Sequence, residues 1–279
     1  MDSKLETYLQ SNQYQIEEVL HENKRKKTRL IKVKKNGQFF VAKVIDELSP
    51  VDIKNKFNIE KSYYQKNKFC YLPKLVTATD HVLILEFIEG KSLRDAIRGN
   101  NVNSTILSSL LNCIDLIYAN SKRENDGTNE TKNCFSNLSN LLQSGPIQSK
   151  NTKISTLKKG ALKLRLLLLI FKLKWNLNKL DFKTLKSGFI HGDFHFNNIL
   201  VNSNGEIKII DFENVKYTGY FDFDIMYLYA MLELNLKTDS KEMEILQNSI
   251  STLCQNKYAM KIFNLYRYSI KLNSRFRVS

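Results

Sequence analysis

The stretch Gly188 to Val215, GFIHGDFHFNNILVNSNGEIKIIDFENV, constrains this chain more than any other. Two short apolar runs, Ile199 to Val201 and IKII from Ile207, flank Asn204-Gly205. Asn-Gly between apolar runs signals a tight hairpin, because both turn positions need positive φ. A hairpin brings its two ends together. His191-Gly192-Asp193 precedes the first strand, Asn198 follows Asp193 by five residues, and Asp211 closes the second strand. The expected fold therefore gathers Asp193, Asn198 and Asp211 at one open end. Two carboxylates and an amide oxygen form a hard-oxygen set suited to Mg²⁺, which binds through few protein ligands and keeps sites for water and phosphate oxygens. One carboxylate is then left to orient a hydroxyl nucleophile.

Phosphoryl transfer needs such a set, together with a lysine on the nucleotide phosphates. Lys43 in FVAKV alternates with apolar residues in mid-strand. A lysine in a buried strand is costly unless paired, and Glu60, on the helix that follows, is the expected partner. The first third of the chain supplies the scaffold. Strands are expected at 15–20, 29–33, 39–45, 75–77 and 82–87, with Asn36-Gly37 turning the second hairpin. Ser49 as N-cap and Pro50 at the first helical position predict a helix over 51–67.

Beyond residue 87 the pattern becomes helical. Glu89-Gly90 reads as a linker, and Ser92 caps a short helix, LRDAI. Apolar residues at three- and four-residue spacing predict an amphipathic helix over 104–120. Residues 120–156 are rich in Asn, Ser, Lys and Thr and read as loop, with one short helix near 135–142. Residues 157–180 and the chain from Phe221 onward read as helical. Cys70, Cys113, Cys134 and Cys254 are scattered with no C-x-x-C pair, which argues against a zinc site or a disulfide framework. The apolar run Leu166 to Phe171 is far below the roughly 20 residues of a spanning helix. The N-terminus has no basic region followed by an apolar core, so no secretory signal is expected.

The set Val41-Ala42-Lys43, Glu60, HGDFHFNN and IDFE resembles the aminoglycoside phosphotransferase and choline kinase family, including its lipopolysaccharide-core sugar kinases. The resemblance covers about residues 14–230. It implies an α+β, two-lobed protein-kinase-like fold, with a β-rich N-lobe over 1–87 and a helical C-lobe over 88–279 that carries an insertion at about 121–187. It further implies ATP, or another nucleoside triphosphate, and Mg²⁺ as cofactors. By the same resemblance Asp193 is the catalytic aspartate, and Asn198 and Asp211 are the magnesium ligands. Lys43 is the phosphate-binding lysine, Glu60 the glutamate that holds it, and the backbone from Glu86 to Ile88 the hinge that meets adenine. His191 is then structural, and Asp224 braces the catalytic loop. His195 is read as structural; Glu213 is left between a second metal, the acceptor and solvent. Unlike the family, the loop HENKRKKTR has no glycine, so the phosphates would have to be met by side chains such as Lys24, Arg25, Lys26 and Lys27, or by few backbone amides.

Charge bears on the acceptor. The chain carries 43 Lys and Arg against 28 Asp and Glu, a formal net charge of +15. Residues 150–186 hold eleven of these cations against Asp181 alone. Apolar residues 162–171 spread around the helical wheel, which favours a packed helix whose lysines reach solvent; Trp175 is expected to pack at its edge. A cationic surface suits an anionic partner and disfavours a polycationic acceptor. The expected activity is a kinase that moves a γ-phosphoryl group to a hydroxyl of a small molecule or sugar rather than a protein, with an anionic cell-envelope glycan among the acceptors that the charge suits. A cytoplasmic protein is expected, with peripheral contact at an anionic membrane or glycolipid. No nucleic acid partner is expected, because no aromatic-interleaved basic motif is present. The alternatives are a catalytically silent kinase-like binding module and a protein kinase.

Overall fold

The computed structural model describes residues 3–120, 168–169, 171–180, 190–216, 221–237, 240–255 and 257–277. The chain divides into two compact units: Met1–Ala96 with Asn197–Val215, and Ile97–Phe196 with Lys216–Ser279. The first unit thus runs past Phe87, the expected lobe boundary, and takes in the hairpin around Asn204-Gly205.

The first unit begins with a helix that the sequence reading did not anticipate, α1 (Ser3–Ser11). A five-stranded antiparallel sheet follows, made of β1 (Gln15–Asn23), β2 (Thr28–Lys35), β3 (Gln38–Ile45), β4 (Leu75–Ala78) and β5 (Val82–Glu86), in the order β1-β2-β3-β5-β4. Asn36 and Gly37 adopt φ of 50° and 80°, the doubly left-handed turn that Asn-Gly favours. One sheet face carries Ile31, Val33, Ala42, Val44, Val82 and Ile84, and Leu9 of α1 packs against it with no exposed surface. Side chains alternate across a strand, so Lys43, between Ala42 and Val44, is directed to the opposite face.

Helix α2 (Val51–Lys66) buries Ile53, Phe57, Glu60, Tyr63 and Tyr64. Their spacing describes one helical stripe, and Glu60 lies within it. The expected cap is corrected: Pro50 is the N-cap residue, without a side-chain cap bond. The Ser49 hydroxyl donates instead to Lys27 O at 3.1 Å, tying the β1–β2 turn to the start of the helix.

Gly90 is not a linker residue. It opens β6 (Gly90–Ser92), which pairs with β7 (Ile199–Asn202), and β7 pairs in turn with β8 (Ile207–Ile209). The approach requires glycine, since a Cβ at position 90 would lie 2.2 Å from Val201 O. Ser92 then starts α3 (Leu93–Arg98), its hydroxyl accepting from the Asp95 amide at 3.1 Å. Ile209 N donates to Tyr71 O at 2.8 Å, and Phe212 stacks on Tyr63 of α2 with ring centroids 4.3 Å apart. These contacts explain why residues 197–215 belong to the first unit.

The second unit contains α4 (Ser104–Asn120), α5 (Phe221–Glu233), α6 (Lys241–Leu253) and α7 (Lys257–Arg277). Helix α5 packs on α6 and α7, and α4 packs on α6. Residues 168–169 and 171–177 are helical, and 178–180 form a turn, so the helix stops short of Leu180. Leu169, Leu173 and Leu177 are buried there, whereas Trp175, expected to pack, is 55% exposed. The helix expected near 135–142 lies outside the described residues, as do residues 157–167 of the next expected helix. Among the described residues no helix is long and apolar enough to cross a membrane.

Candidate active site

Lys43 is the centre of the first unit's polar interior. Its Nζ donates to Glu60 Oε2 at 2.5 Å, to Asp211 Oδ1 at 2.9 Å and to Glu213 Oε2 at 3.3 Å. An ammonium has three hydrogens, and three carboxylates accept them. Burial alone would lower the Lys43 pKa, but Glu60, Asp211 and Glu213 outweigh it and hold it above the ordinary lysine value. Burial pushes the Glu60 carboxyl up, against the pull of Lys43. The sequence-predicted pair Lys43–Glu60 is therefore in direct contact.

The hairpin β7–β8 brings Asn198 and Asp211 together. Ile199 faces Ile209 across the ladder, and one step outward Ile210 N donates to Asn198 O at 3.0 Å. Asp211 follows at once, with φ 67° and ψ 59°. This left-handed conformation is uncommon outside glycine, though Asp is enriched in it. Such conformations persist where surrounding contacts fix them, often at functional sites. Here the fixing contacts are Lys43 on the Asp211 side chain and the Phe212 ring against Tyr63 and Tyr64. Glu60, Asp211 and Glu213 each offer an oxygen, and these oxygens lie within 4.8 Å of one another. With Asn198 the donors are all hard oxygens, a chemistry that fits Mg²⁺.

Asp193 belongs to the second unit. Ile190 and Lys216 form an isolated bridge there, and Gly192 takes φ 79°. Asp224 Oδ2 accepts from His191 N at 2.9 Å and from Gly192 N at 3.1 Å. Burial raises the Asp224 carboxyl to about 7; the two backbone N–H groups and Lys216 oppose the rise, and Asp193 adds to it. His191 is buried, and its Nδ1 accepts from Asp193 N at 3.3 Å. His195 Nε2 lies 3.5 Å from Asp193 Oδ1. Asp193 is thus carried on a short loop whose backbone is held by one half-buried carboxylate, that of Asp224.

The sequence does not single out Lys56, and it leaves Glu213 between a second metal, the acceptor and solvent. Glu213 joins the Lys43 cluster and also meets Lys56 of α2, with Oε1 3.4 Å from Nζ. The signal available was Lys56 four residues before Glu60, on adjoining positions of one helix face. Glu86 ends β5, where its carboxylate accepts from Lys74 N at 3.0 Å and lies 3.9 Å from Lys208 Nζ. Ile88, half-buried, follows in the segment leading to β6. In the glycine-free turn between β1 and β2, Lys27 adopts φ 51°, and its carbonyl accepts from Asp46 N at 3.0 Å.

Comparison with known proteins agrees with this geometry. Residues 150–239 match the model of the phosphotransferase enzyme family. No curated protein sequence matches the chain. Among solved structures, the aminoglycoside phosphotransferase APH(4)-Ia is similar with a TM-score of 0.61 at 13% identity, over 99% of this chain and 92% of its own. The streptomycin–ATP complex of APH(2")-IIa gives 0.56 at 18% identity, over 95% and 86%. An ethanolamine kinase of Plasmodium vivax gives 0.53 at 17%, over 94% and 75%. The fold is therefore the protein-kinase-like α+β fold of these enzymes, as the sequence resemblance implied.

Proposed function

We propose that the protein is a phosphotransferase that moves the γ-phosphoryl group of ATP, with Mg²⁺, to a hydroxyl group of a small molecule. The observation that carries this reading is the buried Lys43, held by Glu60 from α2 and joined to Asp211 at the end of the hairpin. A fold that needed only stability would gain little from such a cluster, because desolvation offsets most of its Coulomb energy. The matched family and the kinase structures of the same fold support it.

In this reading Lys43 exchanges one carboxylate partner for a nucleotide phosphate oxygen when nucleotide arrives. Asn198 and Asp211 would hold Mg²⁺, which supplies positive charge to the β- and γ-phosphate oxygens. Asp193 takes up the acceptor hydroxyl proton as the new phosphate ester bond forms and the β–γ bridging bond breaks, leaving ADP. Asp224 keeps Asp193 in place through the His191 and Gly192 amides. The backbone from Glu86 to Ile88 meets the base. For the acceptor we favour an anionic molecule, such as a cell-envelope glycan or glycolipid reached at a membrane surface, because the +15 charge opposes polycations.

The test measures ADP release with MgATP and calorimetric nucleotide binding on the same preparations. Asp193→Asn should abolish turnover and leave nucleotide affinity nearly unchanged. Turnover that survives Asp193→Asn sinks the assignment. A second reading, a silent nucleotide-binding module, is favoured by the glycine-free turn and by a Lys43 whose three donors already have partners. It predicts MgATP binding with no ADP release in the parent protein for any acceptor.

A further inference from the structure

An open cavity of about 640 Å³ lies in the second unit between residues 168–176 and residues 261–268 of α7. Its size falls in the range of about 300–1,000 Å³ common for small-molecule sites. Leu168, Lys172, Trp175 and Asn176 line one side, Lys261 and Tyr268 the other. The spacing at 168, 172 and 175 and at 261 and 268 puts each set on one helix face. Trp175 and Tyr268 keep 55% and 46% of their surface exposed, large apolar areas that are usually covered. Lys179 Nζ stands 4.2 Å over the Trp175 ring and adds a third cation. Among the described lining residues none is acidic. Asn176 is 7% exposed. Its Nδ2 donates to Lys172 O at 2.7 Å, and its Oδ1 has no hydrogen-bond partner among the described residues.

We propose that this cavity binds a small amphipathic anion. A carboxylate or phosphate is met by Lys172 and Lys261, and a ring or hydrocarbon body covers Trp175 and Tyr268. A concave wall of one charge sign concentrates counter-ions, and the indole and phenol rings offer flat apolar area. A cationic ligand would face Lys172, Lys179 and Lys261 together. The inference does not depend on the phosphotransfer reading, since it concerns binding without nucleotide.

Trp175 is the single tryptophan of the chain, so its emission reports on this cavity alone. The full chain is titrated with phenylpropanoate, phenylpropyl phosphate, phenylpropanol and phenylpropylamine, which share one body and differ in charge. The two anions should change Trp175 emission saturably, with Kd at least about tenfold below that of the alcohol, and the amine should give no change. Comparing the two anions tells which acidic group the site prefers. Lys172→Gln with Lys261→Gln should raise the anion Kd to that of the alcohol and leave the alcohol unaffected. Each single variant should do so in part, which covers a double variant that fails to fold. Equal binding of acid, alcohol and amine, anion preference retained in the folded lysine variants, or no saturable change with either anion would overturn the proposal. Asp193→Asn should bind the anions as the parent does, so failure of phosphotransfer and failure of this site are read separately.

Discussion

Replacing Lys43 by Met should be far more harmful than replacing Glu60 by Gln, although the two side chains form one pair. Lys43→Met leaves Glu60, Asp211 and Glu213 with oxygens within 4.8 Å of one another and without the ammonium that they share. Breaking a buried ion pair from one side costs about 3–5 kcal/mol. Glu60→Gln leaves Lys43 with Asp211 at 2.9 Å and Glu213 at 3.3 Å. Its cost should stay near the 1–3 kcal/mol of a weakened buried hydrogen bond. The double variant no longer buries an unpaired Glu60 charge, so it should be more stable than Lys43→Met alone, with a coupling of about 2 kcal/mol. Acidity separates the causes further. The Lys43 pKa is held above its ordinary value, so in the parent this group stays charged from acidic to mildly alkaline pH. In Lys43→Met, burial with Asp211 and Glu213 pushes the Glu60 carboxyl up without the opposing cation. Its protonation relieves the repulsion, so the penalty should shrink by about 1–3 kcal/mol between roughly pH 8 and pH 5. Urea unfolding of the four proteins at both pH values measures this. Additive single effects, or a Lys43→Met penalty that grows on acidification, would refute the reasoning.

Three further outcomes are expected. Asp224 has its folded-state pKa pushed up to about 7 from 3.8, so the folded chain keeps a proton that the unfolded chain has released. Its contribution to stability therefore falls as pH rises from near 4 to near 7. Asp224→Asn keeps a carbonyl acceptor for both amides and should gain on the parent over that window; a relative loss in urea midpoint with rising pH would contradict the burial argument. Gly90→Ala should lower Tm, by about 1–3 kcal/mol of stability, because its Cβ would lie 2.2 Å from Val201 O; an unchanged melting curve would mean that β6 and β7 part without cost. Asp211→Ala should remove the Mg²⁺-dependent part of ATP affinity in calorimetry, and equal MgATP binding would place the metal on other ligands.

Much of the site was legible because its residues break local rules in a local context. Lys43 interrupts an apolar strand, and Glu60 interrupts an apolar helix stripe, and each anomaly needs the other. Asn36-Gly37 and Asn204-Gly205 are backbone signals within a few residues. What was not legible depended on distant pairing. Strand β6 is three residues long and pairs with β7, more than a hundred residues later. Glu213 meets Lys43 across 170 positions, and nothing near it in sequence separates that role from an exposed glutamate. Helix α1 is nine residues long, too short for propensity to establish it without the sheet face that Leu9 covers. Trp175 escaped because its helix buries Leu169, Leu173 and Leu177 and turns the indole outward.

The first unit is assembled from two pieces of chain separated by about a hundred residues. On a ribosome adding about 5–20 residues per second, residues 1–96 wait several seconds before 197–215 emerge. Through that interval Tyr63 lacks the Phe212 ring, β6 lacks its neighbour, and Lys43 has only Glu60 of its three carboxylates. The nascent chain must therefore hold an incomplete sheet-and-helix layer while the whole intervening segment is synthesised. That wait makes the early chain a natural client for holding chaperones. It also means that a fragment ending near residue 96 would display the aromatic face of α2 to solvent.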